Sequence, residues 1–345
     1  MTLINRQFYL ARRPVGTPTD DDIRVRESAV REPGPGQVLM RNSYISLDPA
    51  IRDWMSDNIS YFEPIAIGDC VRSTTLGVVV ESRHPDFQAG DRVVGLGCNG
   101  WEDYSVADGA ALSRVDVPAG HPARSELSIL SVAMGITPYF GILALGKPQP
   151  GETVLVSAAA GAVGSVAAQI ARIKGCRVVG LCGSDEKCRW LTDELGLDCA
   201  INYRGSTDLI HDIRKHCPNG VDIYFDNVGG AILDAALMNI NDRARVVFCG
   251  AISTYNATAP TPGPYNYWQI LAHGAQVLGL LSLHHREHWG EAKRDLAAWV
   301  DQGLLRFSEH IVDGFDNIPE AFRLLFSGEN RGKLLVRLNA DCDTP

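Results

Sequence analysis

The stretch from Gly151 to Lys187 limits what this chain can fold into more than any other. Thr153 to Val156 is a short β-rich apolar run bounded by Gly151, too short for a buried helix. A turn of small residues follows. Val163, Val166, Ala167, Ile170 and Ile173 then recur at helical spacing until Gly175 stops the helix. Arg177 to Leu181 reads as a second strand. The spacing predicts a strand–helix–strand unit of about 30 residues.

The turn inside that unit is chemically specific. Ala159, Gly161 and Gly164 hold the three small-residue positions of the pattern G-x-G-x-x-G, with Ala at the first. A side chain at Gly161 would keep a pyrophosphate from the backbone. One at Gly164 would push the helix off the strand. The helix start offers free N–H groups and a partial positive charge to phosphate. A dinucleotide site is therefore expected at Gly161, Ala162, Val163 and Gly164.

Composition sets the bounds. A chain of 345 residues can hold two domains with sizeable cores. No apolar run approaches 18 residues, and the start, Met1 to Arg6, has no apolar signal region. A net charge of −9 argues against nucleic-acid or anionic-membrane binding. The nine Cys are scattered, odd in number and without C-x-x-C, the pattern of a reduced, cytoplasmic protein. Most of these Cys are expected to be small core residues.

Before the turn, residues 5 to about 125 read as β-rich and irregular, with strand character over Gln37 to Ser46 and Val71 to Ser82. Leu127 to Leu145 looks helical. After Lys187, helix and strand alternate. Glu186 to Leu195, Leu209 to His216 and Ile232 to Ile240 read as helices. Cys199 to Asn202, Val221 to Asp226, Arg245 to Cys249 and Gln276 to Leu281 read as strands. Counting from Thr153 gives six strands with intervening helices, a doubly wound α/β pattern. His288 to Gln302 and Ile318 to Phe326 read as further helices, and Leu334 to Leu338 as a closing strand.

Several phrases together carry a family likeness: Tyr44 to Arg52, Gly135 to Gly141, Ala158 to Ser165, Gly183 to Lys187, Phe225 to Gly230, Cys249 to Asn256 and Gly328 to Lys333. Over nearly its whole length the chain resembles a medium-chain dehydrogenase/reductase. More narrowly, it is similar to the zinc-independent, NADPH-dependent alkene reductases, the group of prostaglandin reductase (leukotriene B4 dehydrogenase) and bacterial curcumin reductase. The resemblance implies a GroES-like β domain, residues 1–126 and 313–345, around an inserted Rossmann domain, residues 127–312. It implies an active site in the cleft between them, an enone or enal substrate, NADP(H) as cofactor and a homodimer.

The resemblance also implies site residues. Lys187 and Tyr203 would hold the 2′-phosphate, since the second strand runs into Gly183-Ser184 with no acid to bind a ribose 2′-OH. Asn227 and the loop Cys249, Gly250, Ala251, Ile252, Ser253 and Tyr255 would lie along the cofactor. Leu280, Leu281 and Ser282 would border the nicotinamide, and Asn330 would close over it. Tyr267 and Tyr61 are the candidate donors to a developing enolate oxygen. No metal site is expected: Thr74 to Glu81, where zinc relatives carry Gly-His-Glu, has no His, and the remaining His lack a full ligand set.

Two departures stand out. The family phrase Asp-Pro-Tyr-Met-Arg is here Asp48-Pro49-Ala50-Ile51-Arg52, and Arg-Met-Glu-Gly-Phe is here Gln276 to Leu280. Substrate range and subunit contacts should differ accordingly. Two other readings stay open on the residues: a carbonyl reductase or alcohol dehydrogenase using the same cofactor, and a non-catalytic NADPH-binding protein.

Overall fold

The computed structural model describes residues 3–58 and 60–342. The chain divides into two compact units. One comprises residues 1–128, 309–330 and 334–345; the other comprises residues 129–308 and 331–333.

The first unit is built on strands. β1 (Ile4–Leu10) and β2 (Ile23–Ala29) form an antiparallel pair. β3 (Gln37–Leu47), β4 (Arg72–Ser82), β5 (Arg92–Gly100), β6 (Tyr104–Asp108) and β7 (Leu112–Arg114) form most of a second, antiparallel sheet. Its core gathers Phe8, Ile45, Leu47, Trp101, Phe315 and Phe322. Each such side chain, fully buried, contributes roughly 1.5–3 kcal/mol. Arg52, inside the phrase Asp48 to Arg52, is structural. It is buried and donates to the carbonyls of Gly16 and Pro14 and to Ser56 Oγ.

The second unit carries β8 (Thr153–Val156), β9 (Arg177–Cys182), β10 (Cys199–Asn202), β11 (Val221–Asp226), β12 (Ile240–Phe248) and β13 (Gln276–Gly279). They form one parallel sheet in the order β10-β9-β8-β11-β12-β13. The order reverses between β8 and β11, so the turns that leave these two strands lie side by side. That crevice is where doubly wound sheets take ligands. β8 is buried at every position, as a strand covered on both faces must be. β14 (Glu309–Asp313) and β15 (Lys333–Arg337) return to the edge of the seven-stranded sheet, with β15 antiparallel to β3.

Two stretches differ from the sequence pattern. Leu127 to Leu145 is not one regular helix: only Thr137–Phe140 is α-helical, between wider π-type turns. Tight packing at glycines is the reason. A Cβ on Gly141 would stand 2.6 Å from Phe225 and from Leu280, and one on Gly135 would strike the Ile129 carbonyl. The helix expected over Ile232 to Ile240 is Gly230–Leu237, and Ile240 already begins β12. Ile240 pairs with Val221, and the register then shifts so that Ile223 meets Arg245. Arg243 lies inside the shift with φ 61°, a bulge that periodicity does not announce.

Candidate functional site

The small-residue turn is held by backbone on every side. Ala158 adopts φ 47°, a left-handed conformation uncommon for a side chain other than Gly. Its carbonyl accepts from Gly161 N at 2.9 Å, and Ala159 N donates to Leu181 O at 2.9 Å. Gly161 then caps the helix Ala162–Ile173 with no side chain on its N-terminal amides. A Cβ at Gly164 would lie 2.9 Å from Ala159 Cα and closer still to the Ala158 carbonyl oxygen. Gly164 therefore lets the helix sit on the turn. At Gly161 a Cβ would meet only the Ala158 oxygen, at 3.2 Å, so that side of the backbone is open. An uncapped 12-residue helix behind such a turn fits a pyrophosphate.

The adjacent turn after β11 is locked to this one. Asn227 donates from its side chain to Ser157 O at 2.7 Å and from its backbone to Ser157 Oγ at 2.8 Å. Asp226 is fully buried, and its Oδ1 accepts from Tyr224 Oη, Val228 N and Gly229 N. The third loop hangs on the second. Cys249 N and Gly250 N donate to Asp226 O, Ile252 N to Asn227 O, and Ser253 N and Oγ to Val228 O. Tyr255 brings its hydroxyl to 3.1 Å from where a Gly250 Cβ would be. The Cys249 thiol is pushed up to about 12 by burial and then by Asp226, so it stays a thiol at neutral pH. The structure thus brings Gly161, Ala162, Val163, Gly164, Asn227 and the loop Cys249–Tyr255 to one end of one sheet.

Leu280 continues β13, with its amide bonded to Phe248 O at 2.9 Å, and it packs beside Gly141. Leu281 is half-buried. Ser282 is buried; its hydroxyl accepts from Thr137 Oγ1 at 3.0 Å, and its carbonyl accepts from Trp289 Nε1 at 3.1 Å. His285 stacks on Phe140 at 4.5 Å, a packing role.

At the C-terminal end of β9, on the same edge of the sheet, Ser184 caps the helix Asp185–Arg189 by accepting from Lys187 N at 3.2 Å. Asp185 is a first-turn residue that accepts from Asn202 Nδ2 at 2.8 Å. Lys187 is half-buried, and burial lowers its pKa. Cys182 opposes that shift, whereas the positive charges of Arg204 and Arg331 add to it. Tyr203 Oη and Arg204 Nε both stand 3.3 Å from the place a Gly183 Cβ would take. Lys187 and Tyr203 therefore share a corner at the end of the second strand, with glycine where NAD-preferring sheets carry an acid.

The two candidate donor tyrosines lie in different units, each on the surface. Tyr61 is 51% exposed and meets Trp54 edge-on at 6.3 Å. Tyr267 is 64% exposed in the turn Tyr265–Tyr267, which Asn266 ties to Asp234. Asn330 is buried just past Gly328, the left-handed residue that ends the helix Ile318–Ser327. Among the described residues no three His, Cys, Asp or Glu side chains are grouped to hold a metal ion, and no helix is long and apolar enough to cross a membrane.

Sequence reasoning missed Ser157, Asp226, Arg204 and Arg331. The first two act on loops rather than on a ligand, and a buried Asp at a strand end was their only signal. Arg204 and Arg331 follow Tyr203 and Asn330 directly, so adjacency to expected site residues could have raised them.

Residues 6–115 match the profile described as the N-terminal domain of oxidoreductase, and residues 162–298 match the one described as zinc-binding dehydrogenase. The chain is 41% identical to the NADPH-dependent curcumin reductase of Escherichia coli, covering 98% of each chain. It is 34% identical to the NADP(+)-dependent 2-alkenal reductase of Nicotiana tabacum, again over 98% of each. The crystal structure of CurA from Vibrio vulnificus in complex with NADPH is 38% identical, with a TM-score of 0.90 over 97% of this chain and 99% of that one. The chain belongs to the medium-chain dehydrogenase/reductase family, in the group that includes the curcumin reductases.

Proposed function

We propose that the protein is an NADP(H)-dependent oxidoreductase that reduces the C=C bond of α,β-unsaturated ketones and aldehydes without zinc. The observation that carries the reading is the glycine turn with a lysine and no acid at the end of the second strand, in a chain whose relatives are named for NADPH and for alkenal reduction. When bound, NADPH supplies a hydride for the β-carbon. The chain's part is to bind and orient. Gly161 to Gly164 take the pyrophosphate, and Lys187 and Tyr203 take the 2′-phosphate. Asn227, the 249–255 loop, Leu280 to Ser282 and Asn330 line the rest of the cofactor. Charge gathers on the substrate carbonyl oxygen, where a Tyr hydroxyl stabilises it by donating a hydrogen bond, and water or an acid then protonates the α-carbon; Tyr267 is the first candidate for the hydroxyl and Tyr61 the second.

A homodimer belongs to the same proposal. β13 is the last strand of its sheet, and it exposes Val277 close in sequence to exposed Trp268 and Leu271. An unpaired apolar edge of this kind favours pairing with a second copy.

The decisive experiment is NADPH oxidation over a panel of enals, enones, quinones and saturated ketones, with products identified and metal content measured. A saturated ketone from an enone, made by zinc-free protein, is the expected result. An allylic alcohol would move the assignment to carbonyl reduction. Tight NADPH binding without turnover on any member would move it to a binding protein.

A further inference from the structure

Three cations from separate parts of the chain act on one another in the second unit, Arg204 and Arg331 both reaching the charge of Lys187. Lys187 comes from the helix after β9, Arg204 from the turn after β10, and Arg331 from the segment that returns beside the glycine turn. We propose that Arg204 and Arg331 join Lys187 and Tyr203 as one phosphate-reading corner, so that cofactor choice rests on three cations, with Arg331 held in place by Trp190. The proposal rests on the NADP(H) reading above and names residues that reading does not.

The geometry is specific. Gly183 leaves space bounded by Tyr203 Oη and Arg204 Nε, each 3.3 Å from a built Cβ. Arg331 lies with its guanidinium 5.2 Å from the ring centre of Trp190, which is itself buried and so fixed. A guanidinium held over a ring in this way is ordered while its N–H groups remain able to donate. The next residue fixes the backbone. Gly332 N donates to Ala160 O at 3.1 Å and Gly332 bridges Gly161 in parallel, so Arg331 enters the corner one residue from the pyrophosphate turn. Gly332 has φ 67°, and a Cβ there would strike the Ser308 carbonyl, so the path allows little variation.

Asp185 is engaged by Asn202, and Glu186 is exposed on the helix beside Lys187. Arg204 and Arg331 each act against the positive charge of Lys187, and a phosphate relieves that repulsion. A phosphate monoester carries about two negative charges at neutral pH and accepts several charge-assisted hydrogen bonds. A 2′-phosphate reached from the glycine turn meets that description.

The test is equilibrium binding by calorimetry, with the full chain and three probes: NADP⁺, NAD⁺ and 2′,5′-ADP. R204A and R331A should each weaken NADP⁺ and 2′,5′-ADP by about tenfold and leave NAD⁺ within about twofold, the discrimination of one charge-assisted contact. R331K keeps the charge and loses the guanidinium over Trp190, so it should fall between wild type and R331A. Unchanged NADP⁺ affinity in R204A and R331A, or equal loss for NADP⁺ and NAD⁺, would overturn the proposal. K187A separates the two levels. If K187A weakens NADP⁺ while the arginine variants do not, only this proposal fails. If K187A also leaves NADP⁺ unchanged, the 2′-phosphate reading beneath it fails as well.

Discussion

The glycine turn after β8 and the cationic corner after β9, proposed to take the pyrophosphate and the 2′-phosphate of one dinucleotide, would do so by opposite means. The turn uses backbone. Its donors are helix amides, its specificity is the absence of two side chains, and it treats every dinucleotide alike. The corner uses side chains. In the proposed reading Lys187, Arg204 and Arg331 bring charge, and Tyr203 a hydroxyl, to a place where only a 2′-phosphate has something to offer. A backbone site tolerates almost no substitution but cannot discriminate. A side-chain site discriminates, and its strength is divided among residues that can be removed one at a time.

The largest effect should come from breaking the turn. In Gly164→Val the new side chain has no space beside Ala158 and Ala159, so the helix must move and its amides leave the phosphate. Overpacking costs about 1–3 kcal/mol of stability. Loss of two or more charge-assisted bonds, at roughly 1.5–3 kcal/mol each, should weaken NADPH and NADH alike by about 100-fold or more. Thermal unfolding and cofactor titration measure the two consequences. A loss confined to NADPH would show that the turn is not the shared pyrophosphate site.

The corner should give the opposite signature. Lys187→Ala should weaken NADPH by about 10- to 100-fold and leave NADH within about twofold, because NADH has no 2′-phosphate to lose. Equal losses would make Lys187 a structural residue of its helix. Salt should act in the same sense with a smaller effect. Raising ionic strength from about 0.1 to about 1 M shortens the screening length from about 10 to about 3 Å. The NADPH-over-NADH preference of the wild type should narrow by about threefold. A preference indifferent to salt would mean that the corner works by shape rather than charge.

The same contrast explains what could be read in the sequence. The turn was legible because glycine is its function: Gly161 and Gly164 are seen directly, and the flanking apolar periods place them between strand and helix. β8, β9 and β11 were legible as short, mostly buried runs with breakers at their ends, and β10, buried only at Ile201, as a short apolar run between Gly196 and Gly205. The corner was half legible. A missing acid after β9 is visible, but Arg204 and Arg331 lie 127 residues apart, since 331 − 204 = 127, and only the fold makes them neighbours of Lys187. The bulge at Arg243 and the broken helix over 132–146 were not legible. Both follow from neighbours in space, the register against β11 and the packing of Phe225 and Leu280 on Gly141. The same holds for the tyrosines. Tyr61 and Tyr267 came from the family resemblance, and nothing in the local sequence pattern tells a Tyr that donates to substrate from one that packs, as Tyr61 does on Trp54.

The smallest expected effect concerns the thiols that border these two sites. Cys249 lies in the loop beside the turn, and Cys188 follows Lys187. Both are pushed up to about 12, chiefly by burial, with Asp226 adding at Cys249 and the Cys182 thiol adding at Cys188. A thiol with a pKa near 12 is about one part in a thousand thiolate at pH 9, and thiolate is the reactive form. Alkylation of the folded protein by iodoacetamide should therefore stay slow from pH 6 to 9. Cys249→Ser should hold kcat/KM within about twofold, and the activity profile should show no thiol limb in that range. The stability consequence has a definite sign. A group whose pKa is raised on folding, here from 9.0 to about 12, favours the folded state fully below pH 9, and that contribution fades as pH climbs toward 12. Denaturant titrations should give a flat thiol contribution up to pH 9 and a falling one above it, with the fall reduced in the Cys249→Ser variant. Rapid alkylation at pH 7, with loss of cofactor binding, would place a thiolate at the site and make the loop a reactive region instead of a packed one.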